Sequence, residues 1–341
     1  MASPNARPIR PRISIVIPVK DDAEELRHAL AALAAQTLAP AEIVVLDNGR
    51  PAAGSVDEVE RIAREAGARL VREPGGGIPA ANAAAFDAAT GDIVARMDAD
   101  CRPGPAWVAG IVRAFEADPL LTAATGGAEF VDGPRWLRRP LACVYLFAYR
   151  ATLWPALGHT PLWGSNLAVR REAWVRIAPL VHRDDPEVHD DLDLSFHLGE
   201  RHRIRWVRRL PMGVSMRPFA DRSAMRRRFR RGIHTVLIHW PRDIPPVRVL
   251  RIALARATGR TFPAAARMST GSTRARAAGT VESMSDMTAD HPSDPTDAAD
   301  GAQTHEPAPA ADETDTASVD DGDSLRDRSD LQDLPPADAT T

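Results

Sequence analysis

The sequence is short of cysteine and of long hydrophobic runs, and each shortage excludes a class of protein. Its two cysteines, Cys101 and Cys143, are too few for a disulfide framework in 341 residues, so we expect a reducing compartment. No apolar run approaches the roughly 18 residues that span a bilayer. The first apolar run, "ISIVIPV", is also too short for a signal peptide. These absences predict a cytoplasmic protein, either soluble or peripheral at the inner membrane face.

Charge is distributed unevenly along the chain. Residues 280–341 contain 17 acidic residues and two arginines, a net charge of −15, whereas residues 1–279 contain 41 basic and 29 acidic residues, a net charge of +12. The acidic segment has no aromatic residue and few large aliphatic ones, so it cannot bury enough surface to offset the entropy of ordering. We expect a disordered acidic tail over residues 269–341 and a flexible N-terminus over residues 1–11.

Strand and helix patterns alternate through the first third of the chain. The β-branched runs "RISIVIPV" and "AEIVVLDNG" are separated by the amphipathic segment "DDAEELRHALAALAAQ", and the alternation continues to "DIVARMDAD". This order predicts an α/β fold with a mostly parallel sheet. Ligands bind beyond the carboxyl ends of such strands. Three acidic loops follow strand ends, at residues 18–22, 47–49 and 98–100, and we expect them to face one crevice.

Residues 134–163 are rich in aromatic and aliphatic side chains. They fit either an irregular helix packed on the sheet or an apolar surface that faces an acceptor or a membrane, and the sequence leaves both open. A strand and a helix follow over residues 165–177. A helix with an acidic start over residues 189–200 and one or two final strands over residues 204–216 complete the pattern.

Two aspartates, Asp98 and Asp100, close an apolar strand. Residues i and i+2 of a strand point to one face, so these carboxylates repel unless a divalent cation joins them. Mg²⁺ and Mn²⁺ favour a few carboxylate oxygens, with water and substrate phosphates completing the shell. One aspartate at this position indicates only an Asx turn, but two favour a metal site.

A second acidic group lies in "HDDLDLSFHL". Asp190, Asp191 and Asp193 exceed what a helix N-terminus needs, so one carboxylate is a candidate general base. The stretch "WGSNLAVRR" upstream suits contact with a sugar or nucleotide, or simply forms a tight turn.

In order and spacing, these segments resemble family 2 glycosyltransferases of the GT-A fold over roughly residues 12–240. The motifs that carry the resemblance are "SIVIPVKDD", "EIVVLDNG", "GGGIPAANAAAFDAATGDIVARMDADC", "GSNLAVRREAW" and "DDLDLSFHL". The resemblance implies a Rossmann-like sheet flanked by helices. It also implies transfer of a sugar, with inversion, from a nucleotide-diphosphate sugar to an acceptor hydroxyl. UDP-sugars are the commonest donors, and the acceptor would be a cell-envelope glycan, a lipid or a small molecule.

The resemblance also implies roles for individual residues. Asp191 would be the catalytic base, and Asp98 and Asp100 would hold Mg²⁺ or Mn²⁺. The donor would contact Pro18, Val19, Asp22, Asp47, Asn82, Asp98 and Ala99. The acceptor would contact Trp163, Gly164, Ser165, Asn166 and Asp190.

The sequence departs from the family pattern at several positions. Lys20-Asp21 replaces the usual Asn-Glu, Ala81 replaces an arginine, and Ser215-Met216 stands where many relatives have a metal-binding histidine. We do not expect His234 or His239 to replace that histidine, because a lone histidine is more often packed or solvated. The departures leave open a nucleotide-sugar-binding protein with impaired catalysis.

Two other enzyme classes fit the sequence less well. A HAD-like phosphatase needs its D-x-D on the opening strand, whereas this motif lies near residue 100. A sugar nucleotidyltransferase needs a glycine-rich phosphate loop after the first strand, where "PVKDDAEE" is acidic.

Residues 222–256 are strongly basic with interleaved apolar residues. Anionic lipid headgroups, or the pyrophosphate of a donor or lipid acceptor, fit this pattern, and we expect no nucleic acid. The stretch "VRVLRIALARATGR" is either an interfacial helix or an ordinary packed helix. We expect a basic helical extension over residues 241–268, after the glycosyltransferase domain of residues 12–240.

Overall fold

A computed structural model describes residues 10–49, 57–73, 77–216 and 222–258. Most of the predicted flexible N-terminus, residues 259–268 of the basic extension and the whole acidic tail lie outside the described residues. The domain boundaries therefore stay predictions.

The first part of the chain alternates strands with helices, as the sequence predicts. Its elements are β1 (Ile13–Val19), α1 (Ala23–Ala34), β2 (Glu42–Asp47), α2 (Glu58–Glu65), β3 (Arg69–Arg72), α3 (Gly77–Ala88) and β4 (Ile93–Arg96). The four strands pair in parallel in the order β3-β2-β1-β4. Their carboxyl ends consequently lie along one edge of the sheet.

The second part is less regular. Its elements are β5 (Arg102–Pro103), α4 (Trp107–Glu116), β6 (Leu121–Phe130), α5 (Arg135–Leu157), a 3-10 turn (Gly164–Asn166), β7 (Leu167–Arg170), α6 (Arg171–Ile177), α7 (Asp190–Gly199) and β8 (Arg203–Val214). Strand β7 runs antiparallel between β4 and β6, and the full order is β3-β2-β1-β4-β7-β6-β8-β5. The predicted α/β fold is confirmed, with a mixed sheet in which four of the seven pairings are parallel.

Hydrophobic cores cover both faces of the sheet. Along β1, Ile13, Ile15, Ile17 and Val19 face one core, whereas Val16 faces the other. The apolar faces of α1, α2 and α4 complete the first core, and those of α3, α6 and α7 complete the second. Burial on both faces explains why the strand sequences are continuously apolar rather than alternating.

Residues 135–157 form one long helix that packs on the core, as the first interpretation predicts, whereas contact with an acceptor or a membrane stays a prediction. On its inner side, Ala142 and Leu146 are buried in the core, whereas Trp136 and Phe147 are exposed. The helix ends at Gly158, whose φ of 73° is left-handed and favours glycine.

The basic segment forms two helices, α8 (Arg222–Ile238) and α9 (Pro245–Ala257). Helix α9 is anchored by Arg248, which is 1% exposed. Its guanidinium donates to Leu157 O at 3.0 Å, to Phe196 O at 2.8 Å and to Asp243 Oδ1 at 2.9 Å. The inner face of α9 is therefore packed, although Leu250 on the same helix is exposed. Among the described helices, none is long and apolar enough to cross a membrane.

Candidate active site

A cavity of about 390 Å³ lies beyond the ends of β1 and β4. Nine of the predicted site residues line it: Pro18, Val19, Asp98, Asp100, Trp163, Gly164, Ser165, Asp190 and Asp191. The strand ends supply Pro18 and Val19, the 3-10 turn supplies Gly164 and Ser165, and the start of α7 supplies Asp190 and Asp191. Separate sequence motifs thus converge on one cavity, as the parallel half of the sheet requires.

The D-x-D motif lies in a turn rather than on a strand. Strand β4 ends at Arg96, and the Cys101 amide donates to Asp98 O at 3.1 Å. The sequence predicted a strand through Asp100; a tight turn, not the two-residue strand repeat, brings the carboxylates together. Asp98, Asp100 and Cys101 each place one potential ligand atom within 4.8 Å of the others.

These side chains fit a hard divalent cation. Asp98 and Asp100 offer carboxylate oxygens, which Mg²⁺ and Mn²⁺ prefer. Burial, together with both carboxylates, raises the pKa of the Cys101 thiol well above its ordinary value. Because Mg²⁺ and Mn²⁺ favour oxygen over sulfur, the carboxylate oxygens are the ligands that the turn provides.

Arg96, which was not among the predicted site residues, also lines the cavity. It is 7% exposed, and its guanidinium donates to Asp190 and, at 3.2 Å, to Asp98 Oδ1. Burial lowers the pKa of Arg96, but the charges of Asp190, Asp98 and Asp191 outweigh burial and raise it. A Cβ on Gly164 would lie 3.0 Å from Arg96 Nη2, so glycine leaves room for the guanidinium. The available signal was an arginine within the apolar run "DIVARMD".

Asp191 is buried and held from three sides. Its Oδ2 accepts the Gly164 amide at 2.8 Å, and the Tyr149 hydroxyl lies 3.2 Å from the same oxygen. Its Oδ1 lies 2.5 Å from His189 Nδ1. Burial raises the pKa of Asp191, but His189 outweighs burial and lowers it to about 2. Burial likewise lowers the pKa of His189, which Asp191 raises above its ordinary value. Asp191 is therefore an oriented carboxylate at neutral pH.

Asp190 is held differently from its neighbour. The Asn82 amide donates to its Oδ2 at 2.8 Å, and Arg96 contacts the same oxygen. Burial raises the pKa of Asp190, and Arg96 opposes this rise. Asn82 is buried behind Asp190 and does not line the cavity.

Three further predicted residues, Asp22, Asp47 and Ala99, do not line the cavity. Asp47 accepts the Gly49 amide at 2.8 Å, and Asp22 accepts Leu26 N–H with its backbone oxygen at the start of α1. Ala99 is buried within the D-x-D turn.

Asn166 is buried and does not line the cavity, and its side chain makes three hydrogen bonds to neighbouring residues. Its Oδ1 accepts Trp107 Nε1–H at 2.9 Å, and its Nδ2 donates to Gly127 O and Leu210 O at 3.0 and 2.7 Å. The contacts of Asp22, Asp47, Asn82, Ala99 and Asn166 with donor or acceptor stay predictions.

Cationic and aromatic residues complete the cavity. Lys20, the single lysine of the chain, lines it, as do Arg228 and Arg231 from α8. Tyr145 and Tyr149 enter from α5. The basic run of α8 was visible in the sequence, but its position over the strand ends depends on tertiary packing.

Comparisons with known proteins agree with this arrangement. Residues 14–175 match the model of the family described as Glycosyl transferase family 2, a match that ends before α7. In sequence, the chain is similar to glycosyltransferase AglE from Haloferax volcanii, with 31% identity over 106 residues. That alignment covers 29% of this chain and 33% of AglE, so the chain spans about a third of this curated relative.

Solved structures are similar over more of the chain. Mannosyltransferase PcManGT from Pyrobaculum calidifontis, in complex with GDP-Man and Mn²⁺, matches with a TM-score of 0.50 and 21% identity, over 73% of this chain and 75% of that one. Glucosyl-3-phosphoglycerate synthase from Mycobacterium tuberculosis, in complex with Mn²⁺, UDP and glucosyl-3-phosphoglycerate, matches with a TM-score of 0.42 and 25% identity, over 67% of this chain and 79% of that one. The likeness to PcManGT confirms the predicted GT-A fold. Residues 14–175 therefore match glycosyl transferase family 2, the family that the sequence motifs resemble.

Proposed function

We propose that the protein transfers a sugar from a nucleotide-diphosphate sugar to an acceptor hydroxyl, with inversion at the anomeric carbon. One observation carries this proposal: a single cavity combines the D-x-D carboxylates, cationic side chains and the oriented carboxylate of Asp191. Transfer of this kind needs a site for a departing diphosphate and a base for the incoming hydroxyl.

The donor end of the cavity suits a diphosphate. A Mg²⁺ or Mn²⁺ ion bound by Asp98 and Asp100 would stabilise the negative charge that builds on the leaving group. Lys20, Arg228 and Arg231 line the same cavity and add positive charge toward that group. PcManGT, which shares the fold, was solved with GDP-Man and Mn²⁺, and this supports the same ligand class here.

Asp191 is the general base in this proposal. It is ionised at neutral pH, and its contacts with His189 and Gly164 fix its orientation. It would accept the proton of the acceptor hydroxyl as that oxygen attacks the anomeric carbon. The acceptor would lie against Trp163, Gly164, Ser165 and Asp190, which line the cavity beside Asp191. A single displacement with one base inverts the configuration.

A nucleotide-sugar-binding protein with impaired catalysis is the second candidate. Two observations favour it: Ala81 and Ser215 line the cavity where the family pattern has an arginine and, in many relatives, a metal-binding histidine. Lys20, which follows β1, and Arg228 and Arg231 from α8 argue for catalysis, because they supply charge that the arginine would otherwise contribute.

Thermal shift with a panel of UDP- and GDP-sugars tests the proposal first. A donor that binds the folded state raises the melting temperature by mass action, and we expect this shift to require Mn²⁺ or Mg²⁺. A matching donor is then incubated with simple glycosides and lipid-linked acceptors, and the anomeric configuration of the product is read by NMR. Binding without turnover would favour the impaired binder, and the absence of any cation-dependent shift would contradict both candidates.

We further propose that α8 contacts an anionic membrane surface, which would place the enzyme at the inner membrane face. Met225, Phe229, Ile233 and Leu237 repeat every fourth residue of α8, and all four are exposed. Arginines lie between them, a combination that favours an interfacial helix. Phe229→Glu should weaken co-sedimentation with phosphatidylglycerol vesicles. The matched control is Val175→Glu, at an exposed apolar position on α6. Equal loss in both variants, or none in Phe229→Glu, would contradict this proposal.

A further inference from the structure

Three histidines surround one carboxylate outside the catalytic cavity. Asp193 Oδ1 lies 2.7 Å from His182 Nδ1, 3.3 Å from His197 Nε2 and 3.3 Å from His239 Nε2. One atom from each of the four residues lies within 4.8 Å of the other three. We call these residues, His182, Asp193, His197 and His239, the histidine cluster. The proposed transfer reaction does not use them.

Neighbouring groups orient the cluster toward a common point. Asp193 Oδ2 accepts the His182 amide at 2.9 Å, which leaves Oδ1 facing the imidazoles. Nδ1 of His239 lies 2.7 Å from Thr235 O, a contact in which the ring nitrogen donates. In the neutral ring, Nε2 therefore carries the lone pair. The His239 ring also stacks on Phe196, with ring centroids 4.1 Å apart. Donation of the second ring N–H to a backbone carbonyl is typical of metal-binding histidines.

The cluster contains buried nitrogen atoms without hydrogen-bond partners. His239 is 8% exposed, and its Nε2 makes no hydrogen bond within the described part of the chain. The same holds for Nε2 of His197. Both atoms approach Asp193 Oδ1 at 3.3 Å without hydrogen-bond alignment. A buried polar atom without a partner is costly, and a cation at the shared point would satisfy both nitrogens at once.

We propose that His182, Asp193, His197 and His239 form a structural Zn²⁺ site. Three imidazole nitrogens and one carboxylate oxygen suit Zn²⁺, which binds such ligands tetrahedrally at about 2.0–2.1 Å. Ligand atoms of a tetrahedral site of that size lie roughly 3.4 Å apart, close to the two separations of 3.3 Å. Four protein ligands close the coordination shell, as in structural rather than catalytic zinc sites. His182, which is only partly buried, gives the ion a route from solvent.

Such a site would fasten the helix that carries the proposed base. Asp193 and His197 lie on α7, His182 lies on the segment before it, and His239 follows α8 directly. Thr235, whose carbonyl contacts His239, also accepts the backbone N–H of His189 through its hydroxyl at 2.8 Å. The ion would thus fasten α7 to the end of α8, and Thr235 of α8 also holds His189, the residue before α7 that contacts Asp191.

Metal content of the full chain tests the site directly. The protein is saturated with Zn²⁺ and dialysed against a buffer with millimolar Mg²⁺, which competes for the oxygen ligands of Asp98 and Asp100 but poorly for imidazoles. We expect close to one retained Zn²⁺ per chain. Co²⁺ bound to the wild type in place of Zn²⁺ should give the intense visible absorption of tetrahedral coordination. No retained Zn²⁺, or only the weak spectrum of octahedral Co²⁺, would overturn the proposal.

Matched variants assign the ion to its ligands. His239→Gln and His197→Gln should each weaken Zn²⁺ affinity by at least about tenfold. His234→Gln is the control, because this histidine lies on α8 but contacts Asp185 at 2.7 Å rather than the cluster. Affinity unchanged in His239→Gln and His197→Gln, or reduced equally in the control, would contradict the assignment.

Discussion

Replacing His189 with glutamine tests whether this imidazole keeps Asp191 ionised. The two side chains approach at 2.5 Å. At an effective dielectric constant of about 20, opposite charges at this separation attract by roughly 7 kcal/mol. Removing each ion from water costs several kcal/mol, so most of that attraction is offset. With Arg96 and the Gly164 amide acting in the same direction as His189, the pKa of Asp191 lies below its ordinary value, at about 2.

In His189→Gln the attraction is lost while burial, Arg96 and the Gly164 amide remain, so the pKa of Asp191 should rise. The assay is kcat/KM for the acceptor as a function of pH, because this ratio reports groups in the free enzyme. As the pH is lowered, kcat/KM of the variant should begin to fall at a higher pH than kcat/KM of the wild type. Below the new pKa, the rate should fall about tenfold per pH unit.

His202→Gln is the control for this experiment. Its partly buried ring contacts Leu198 O at 3.0 Å, just beyond the far end of α7, and does not touch Asp191. The control should keep the wild-type profile. If the acid limb of His189→Gln coincides with that of the wild type, the imidazole does not control the base and the reasoning fails.

Three further perturbations follow from the same contacts. Folding raises the pKa of His189, so protonated His189 stabilises the folded wild type relative to His189→Gln. This stability difference should be complete below pH 6.5 and should shrink as the pH rises through the folded pKa of His189. Melting temperatures of both proteins between about pH 5 and 9 measure it. Arg96→Met should lower the free energy of unfolding in urea by about 3–5 kcal/mol, because Asp98 and Asp190 lose their buried cation; a loss below about 1 kcal/mol would contradict this. Gly164→Ala should cost about 1–3 kcal/mol and reduce kcat, because the new Cβ would displace Arg96, and wild-type kinetics would refute this role of the glycine.

The parallel half of the fold could be predicted from the sequence because its signals are local. Strand β1 is apolar on both faces, and α1 buries Leu26, Leu30 and Leu33 on one side. Because parallel strands end at one edge of the sheet, the position of the cavity followed from this pattern.

The antiparallel part depended on contacts that no local pattern records. The pairing of β7 between β4 and β6 joins segments far apart in sequence. Helix α7 shows no amphipathic stripe because nearly all of its side chains are buried, including Asp191 and Asp193.

The site residues that could be predicted are likewise those with a local signal in the sequence, and the others depend on contacts between distant segments. Asp98, Asp100 and Asp191 stood out because charge interrupts an apolar context. Arg96 lies in such a context as well, but its function depends on partners almost a hundred residues away, at Asp190. The histidine cluster is drawn from four positions between residues 182 and 239, so no sequence motif marks it.

Release of nucleoside diphosphate from a bound sugar donor tests the central claim most directly. With the donor chosen by thermal shift, the wild type should release the diphosphate in the presence of Mn²⁺ and stop when the cation is chelated. Asp100→Ala should lose at least about a hundredfold in rate, whereas Glu24→Ala, which removes an exposed carboxylate on α1, should match the wild type. Release that continues without the cation, or that survives Asp100→Ala, would contradict a glycosyltransferase built on this D-x-D motif.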